Sequence, residues 1–286
     1  MKFYGTSAAE AIPNPFCDCF LCNHARKAGG KDIRTRSMFR LSEQIVIDLG
    51  ADSLMQAIAY GDFRNLEHVL ITHSHEDHFA YMMMGVRKMA THRKETPLIY
   101  YLTDKAYDII DFYRNNTPIL KGSVKELEEN NIIQFKKLEF YQEYQVGNVK
   151  VIPFKGNHFG NMDENAANYL ITMDDGKILF YGLDTGYYLE ETFEKLKNYK
   201  FDYFISECTF GNAPDRPEKP HGHLDIPSCM LVFKRLLEQG TINENTKIYL
   251  THINHCHTAT HQDMVDYFTK TDFPCEIQVA YDGMEI

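Results

Sequence analysis

The segment His73-Ser74-His75-Glu76-Asp77-His78 constrains this chain more than any other stretch. It follows an apolar run at residues 66–72 that reads as a β-strand. In an extended chain, residues two apart point to the same side, so His73 and His75 can grip one ion together. Asp77 and His78 fall where the chain turns into a helix expected from about Phe79. Neighbours at a helix start diverge by about a quarter turn, so this pair aims elsewhere. One short segment can thus serve two metals. Its imidazole and carboxylate ligands suit zinc, iron or manganese and can leave a position open for water.

The rest of the chain supplies the frame. Strand-like runs recur near Lys2 and at 44–49, then from Leu98, Val149, Asn168, Ile178, Asp202, Lys247 and Glu276. Helical patterns cover 52–60, 79–90, 104–114, 189–199, 226–239 and 260–269. Early strands come as hairpin-like neighbours and later ones alternate with helices. That order predicts an α/β protein with two packed sheets and helices outside. A chain of 286 residues that is 44% hydrophobic can bury a proper core. With no repeat or linker, residues 1–286 are expected to form a single domain. The irregular stretch 211–220 reads as a mobile active-site flap. The stretch 98–144 carries no motif, and its aromatic residues are expected to pack.

The ligand segment resembles the signature of the metallo-β-lactamase superfamily, His-x-His-x-Asp-His, matched in full by His73, His75, Asp77 and His78. The resemblance implies a four-layer αββα sandwich. It further implies ligands at three later strand ends, where this chain offers His158, Asp184 and His252. By that likeness His73, His75 and His158 hold one divalent ion, Asp77, His78 and His252 hold the other, and Asp184 bridges them. Zinc or manganese is expected, with iron an option. Asp48, at the end of IVID, matches a strand-end aspartate that orients the site; capping the helix near Asp52 is its alternative role.

A second cluster narrows the subgroup. Cys17, Cys19 and Cys22 can give three thiolates to a tetrahedral zinc, leaving one ligand to be found elsewhere. The motif is similar to that of the cyclic phosphodiesterases of the carbon–phosphorus lyase pathway. Their extra zinc takes a histidine three residues beyond the last catalytic one, here His255 after His252. Cys256, His257 and His24 are rival ligands by proximity. Such a structural zinc would staple a loop at about 11–24 onto the strand end that carries His252. Cys208, Cys229, Cys256 and Cys275 read as buried small hydrophobes. The same resemblance makes His223, in His221-Gly222-His223, the general acid that protonates a departing alkoxide.

These features predict a dinuclear metal-dependent hydrolase, and within that class a phosphodiesterase. Its substrate would be a small, anionic phosphodiester, with a cyclic ribose phosphate as one form. A hydroxide between the two metals would attack phosphorus, with Asp77 and His223 as the catalytic residues. Thioester or lactone hydrolysis on the same fold is the alternative, and a non-hydrolytic metal-binding accessory protein is the rival from another class. A net charge of −10 argues against stable nucleic-acid binding. The basic stretch with Arg26, Lys27, Lys31, Arg34, Arg36 and Arg40 reads either as a surface meeting an anionic substrate or as a solvated helix and exposed strand. No run is apolar and long enough to span a bilayer, so no membrane partner and a reduced, cytoplasmic location are expected, with a homodimer as an open option.

Overall fold

A computed structural model describes residues 1–116, 123–256 and 259–286. Its strands form two sheets. The first runs in order β1 (Lys2–Gly5), β2 (Met38–Arg40), β3 (Ile45–Ile47), β4 (His68–Leu70), β5 (Leu98–Thr103) and β6 (Ile133–Leu138). Pairing is antiparallel from β1 to β3 and parallel from β3 to β6. The second sheet contains β7 (Tyr144–Val146), β8 (Val149–Phe159), β9 (Asn165–Thr172), β10 (Ile178–Gly182), β11 (Tyr203–Glu207), β12 (Lys247–Thr251) and β13 (Glu276–Val279). It is antiparallel from β7 to β10 and parallel from β10 to β13.

Side-chain alternation explains the layering. Ile45 and Ile47 of β3 join Leu70, Tyr169, Tyr181, Ile205 and Tyr249 in a core between the sheets. Val46, between the two isoleucines, faces the other way, into a core with Val69 and Tyr100. A strand buried on both faces must be apolar throughout, and IVI is. The outer core of the first sheet is closed by α3 (Met82–Met89), α4 (Asp104–Asn116) and α5 (Val124–Glu129) through Met83, Met84, Ile110 and Leu127. The second sheet is covered by α1 (Phe20–Ala28), α6 (Glu190–Leu196), α7 (Ile226–Glu238) and α8 (His261–Thr269). A short helix, α2 (Ser53–Tyr60), follows β3. The result is helix, sheet, sheet, helix, the four-layer αββα sandwich.

Three expectations need correction. The helix after the histidine segment starts at Met82, not near Phe79. Phe79 instead bridges Leu49 across the site, and its amide donates to the carbonyl of His75 at 2.9 Å. The stretch after α1 is not an exposed strand, because Met38 and Phe39 of β2 are buried. Stretch 98–144 contributes α5, β6 and β7 beyond the elements the pattern indicated. Segment 211–220 is a turn-rich loop tied back by Ile226 N–H to Gly211 O (2.8 Å) and by an Arg216–Asp225 ion pair (3.2 Å). Among the described residues no helix is long and apolar enough to cross a membrane.

Candidate metal centre

Parallel pairing in register delivers the site residues to one edge. Gly182 pairs with Ser206 and Glu207 with Thr251, so the chain leaves β10, β11 and β12 at the same end of the sheet. Asp184 and His252 follow there, and Asp48 follows β3 in the other sheet. All three have positive φ, at 64° for Asp48, 45° for Asp184 and 58° for His252. A left-handed residue costs roughly 1–2 kcal/mol for side chains other than glycine. Here it turns Asp184 and His252 off their strands into the shared cavity and turns Asp48 onto Thr72 and His78.

Hydrogen bonds then fix which imidazole nitrogen faces inward. His78 Nδ1 lies 2.6 Å from Asp48 Oδ2, so it carries the proton and its Nε2 is left bare. His158 Nδ1 sits 3.1 Å from the Gly222 carbonyl, which can only accept, giving the same tautomer. Thr209 spends its one hydroxyl proton on Glu207 and therefore accepts from His252 Nδ1–H at 2.8 Å. Asp48 likewise takes the Thr72 hydroxyl proton at 3.0 Å, leaving Thr72 Oγ1 to accept from His73 Nδ1–H at 3.1 Å. Four bare Nε2 atoms point the same way. Asp48 thus orients the centre through Thr72 and His78 and caps no helix; the cap of α2 is Asp52.

These nitrogens gather with two carboxylates. His73 Nε2 is 2.8 Å from His75 Nδ1, and His252 Nε2 is 2.9 Å from Asp184 Oδ1. His78 Nε2 is 3.1 Å from Asp77 Oδ2 and 3.4 Å from Asp184 Oδ2. The donor atoms of His73, His75 and His158 form one group, and those of Asp77, His78, Asp184 and His252 a second, each within 4.8 Å. His78 Nε2, His252 Nε2 and Asp184 Oδ1 are buried with no hydrogen-bond donor among the described residues. Burial lowers the pKa of His73, His75 and His158, so these rings resist protonation. Burial disfavours charge on His78 as well, yet Asp77, Asp184 and Asp48 raise its pKa well above the ordinary value. A proton there does what a cation would do. The donor set can therefore hold metal ions, and Asp184 Oδ2, 3.9 Å from His158 Nε2, lies within reach of both groups.

His223 lines the same cavity, which measures about 220 Å³ and is lined also by Asp77, Asp184 and His252. Its ring stacks on His252 at 5.4 Å, and its Nδ1 is 3.1 Å from Glu207 Oε2. Glu207 is fully buried and also takes the amide protons of Thr185 (2.6 Å) and Leu224 (3.2 Å). Sequence reasoning passed over Glu207 as the end of a strand; a buried acid closing an apolar run was the signal. It also passed over Glu164, which accepts from the Ser74 amide at 2.8 Å and from the Ser74 hydroxyl, bracing the turn between His73 and His75. Burial pushes the Glu164 carboxyl up to about 7.

Beside this centre, Cys17, Cys19, Cys22 and His255 bring their donor atoms within 4.8 Å, a set that can hold a tetrahedral ion. Cys19 Sγ is 3.6 Å from His255 Nδ1. Burial raises the Cys19 thiol, but hydrogen bonds from the Cys22 amide and from His255 outweigh it and bring it down to about 6. His24 points away, to Asp32 at 3.3 Å. Cys256 is exposed rather than buried, with its sulfur 3.7 Å from the His255 ring. His257 lies outside the described residues. Cys208, Cys229 and Cys275 are buried as expected. The basic stretch is largely committed to structure. Arg34 is buried, Arg40 holds Tyr4 and Asp62 O, and Lys31 lies over the Tyr281 ring. Arg36 alone of these lines the hollow beside Glu76 and Asp77, tied to Asp52 at 2.9 Å.

Comparison with known proteins agrees with this architecture. The metallo-β-lactamase fold protein YhfI from Bacillus subtilis superposes with a TM-score of 0.68 at 18% identity, covering 99% of this chain and 96% of its own. Zn(2+)-bound PqqB from Methylobacterium extorquens gives 0.71 at 16% identity, with 99% and 98% covered. A diphosphatase from the PhnP family gives 0.67 at 18%, with 99% and 94% covered. At these identities the likeness is one of fold. Searching the curated proteins by sequence finds no match. Residues 43–253, however, match the beta-lactamase superfamily domain, and they hold the histidine segment, strands β3 to β12 and His252. On that match and this geometry, the chain belongs to the metallo-β-lactamase superfamily.

Proposed function

We propose that the protein is a dinuclear metal-dependent hydrolase, and specifically a phosphodiesterase for a small anionic diester. The observation that carries the finer reading is His223, held by Glu207 beside the converging imidazoles of His158 and His252 and lining the same cavity. Two divalent ions held by His73, His75, His158, Asp77, His78, His252 and Asp184 would supply Lewis acidity and a water acidified toward pKa ~7. The chain's own residues do the rest. Asp48 and Thr72 keep the rings of His78 and His73 aimed. Glu207 keeps the His223 imidazole charged and turned inward, so that its Nε2–H can pass a proton to a departing alkoxide. Thioester cleavage needs such a donor less, since a thiolate leaves without being protonated.

The cysteine cluster with His255 is proposed to hold a structural zinc. Cys17, Cys19 and Cys22 would fasten the N-terminal loop to the segment after β12. The fold neighbour named as a diphosphatase is in keeping with phosphate chemistry, though that name describes the neighbour. The reading is tested by assaying metal-loaded protein on bis(p-nitrophenyl) phosphate, a ribose cyclic phosphate, a lactone and a glutathione thioester. Turnover of the diesters, abolished by Asp77→Ala, is the expected result. Turnover of the lactone or thioester alone would overturn it, and metal binding without any turnover would indicate an accessory protein.

A further inference from the structure

Glu10 lines the same cavity as the metal-ligand cluster, yet the role just proposed leaves it idle. Its Oε1 accepts from Asn254 Nδ2 at 3.0 Å, while Oε2 is buried with no hydrogen-bond partner among the described residues. Neither oxygen belongs to a group of donor atoms that converge within 4.8 Å, so the carboxylate stands apart from the two ion positions.

The carboxylate is held in place by its surroundings. The Ala8 amide donates to Ile253 O at 3.0 Å, and the Glu10 carbonyl accepts from Asn14 Nδ2 at 3.1 Å. The following residue, Ala11, sits at φ 58°, a conformation alanine adopts at a cost. Asn254 is fixed in turn, its amide donating to Thr209 O at 3.1 Å and its side-chain oxygen accepting from the Cys256 amide. A carboxylate oxygen withdrawn from water without a donor is costly, and the cost is relieved only when a donor arrives.

The walls of the cavity are thus opposite in character. The imidazole cluster and His223 welcome an anion, whereas Glu10 repels one. A single molecule satisfies both walls when a hydrogen-bond donor lies a short distance from its phosphorus. Resting on the phosphodiesterase reading, we propose that Glu10 is a specificity-determining residue. It accepts a hydrogen bond from a hydroxyl or ammonium group on the esterified alcohol and selects against diesters that lack one.

Three p-nitrophenyl phosphodiesters test this with one leaving group in common: the 3-hydroxypropyl, 3-aminopropyl and plain propyl esters. The intact protein should favour at least one donor-bearing ester over the propyl ester by about tenfold or more in kcat/KM, which is the worth of one hydrogen bond to a charged acceptor. Which ester it favours separates hydroxyl from ammonium. Glu10→Ala should erase the preference. Glu10→Gln, nearly isosteric, should abolish an ammonium preference and reduce a hydroxyl preference. The assignment is overturned if the intact protein shows no preference, or if the same preference persists in both variants. If no diester is turned over, the phosphodiesterase reading fails by itself. Calorimetric binding of glycerol 3-phosphate and propyl phosphate to metal-loaded protein then judges Glu10 separately. A tighter fit for the former that Glu10→Ala removes supports the role, and equal binding overturns it.

Discussion

Glu207 and His223 form a charged pair, Oε2 to Nδ1 at 3.1 Å, with the carboxylate fully buried. Burial works against a charge on the ring, but Glu207 outweighs it and lifts the His223 pKa to about 9. A general acid acts in its protonated form. Turnover should therefore hold through neutral pH and fall as pH rises past that value. Glu207→Gln keeps the shape and removes the charge, so the alkaline limb of kcat should move to lower pH by about one unit or more. A pH–rate profile on an alkyl diester reads this directly; an unmoved limb would assign the proton to another group.

Asp48 acts through His78, whose Nδ1 it holds at 2.6 Å, and through the Thr72 hydroxyl at 3.0 Å. Asp48→Asn should leave the ligands in place while loosening the aim of His78. Metal affinity should fall by roughly 10–100-fold, as for other outer partners of ligating histidines. Competition with a chromogenic chelator measures it. Equal affinity in both proteins would reduce Asp48 to a packing role.

The cysteine cluster makes a prediction about content and stability together. Cys19→Ser removes a thiol that lies 3.6 Å from His255. Bound zinc should drop by about one equivalent, since three ligands seldom suffice for a closed structural site. The midpoint of thermal unfolding should fall on the order of 5 °C. Limited proteolysis should newly cut within the N-terminal loop. Elemental analysis showing undiminished zinc would place the metal elsewhere.

Much of this centre was legible because its signals are local. His73, His75, Asp77 and His78 occupy one short segment, and Cys17, Cys19 and Cys22 another, so spacing alone exposes them. Glu207, Glu164 and Glu10 were not, because each acts on a partner distant in sequence, as Glu164 does on Ser74. The helix start was misplaced for a related reason. Phe79 continues the apolar pattern of α3, but its bridge to Leu49, just beyond β3, overrides local propensity. Strand β6 escaped notice since Lys136 and Lys137 are exposed side by side, which breaks the alternation of a short pattern.

Away from the centre, Arg34 and His261 form a buried pair that should report in stability. Arg34 Nη2 lies 3.0 Å from His261 Nδ1, and arginine can only donate, so that nitrogen is bare. Burial, then the charge of Arg34, push His261 down to about 4. The folded ring is thus harder to protonate than the unfolded one, whose pKa is about 6.5. Between those values the unfolded chain binds more protons, so stability is full above the window and drains as pH falls through it. The loss attributable to this ring should be about 1–3 kcal/mol. His261→Gln keeps an acceptor for Arg34 and cannot titrate. Denaturant unfolding from pH 7 to 4 should therefore show a shallower decline in the variant, and parallel curves would refute the assignment.

Gly50 marks the tightest backbone approach in the centre. A Cβ on it would stand 2.0 Å from the Asp77 carbonyl oxygen and 2.7 Å from the carbonyl carbon. Both are backbone atoms, so no side chain can swing aside. Gly50→Ala must move the Asp77 peptide, and with it the carboxylate now 3.1 Å from His78 Nε2. Overpacking of this kind costs roughly 1–3 kcal/mol. Metal titration should show weakened binding at the Asp77, His78 and His252 group, beyond any general loss of stability. Gly176→Ala supplies the control. It has open space around it but a φ of +84°, so it pays for backbone conformation only, far from the ligands. It should cost about 1 kcal/mol and leave metal affinity alone. If the two variants lost stability alike and bound metal alike, the contact between Gly50 and Asp77 would have no part in shaping the site.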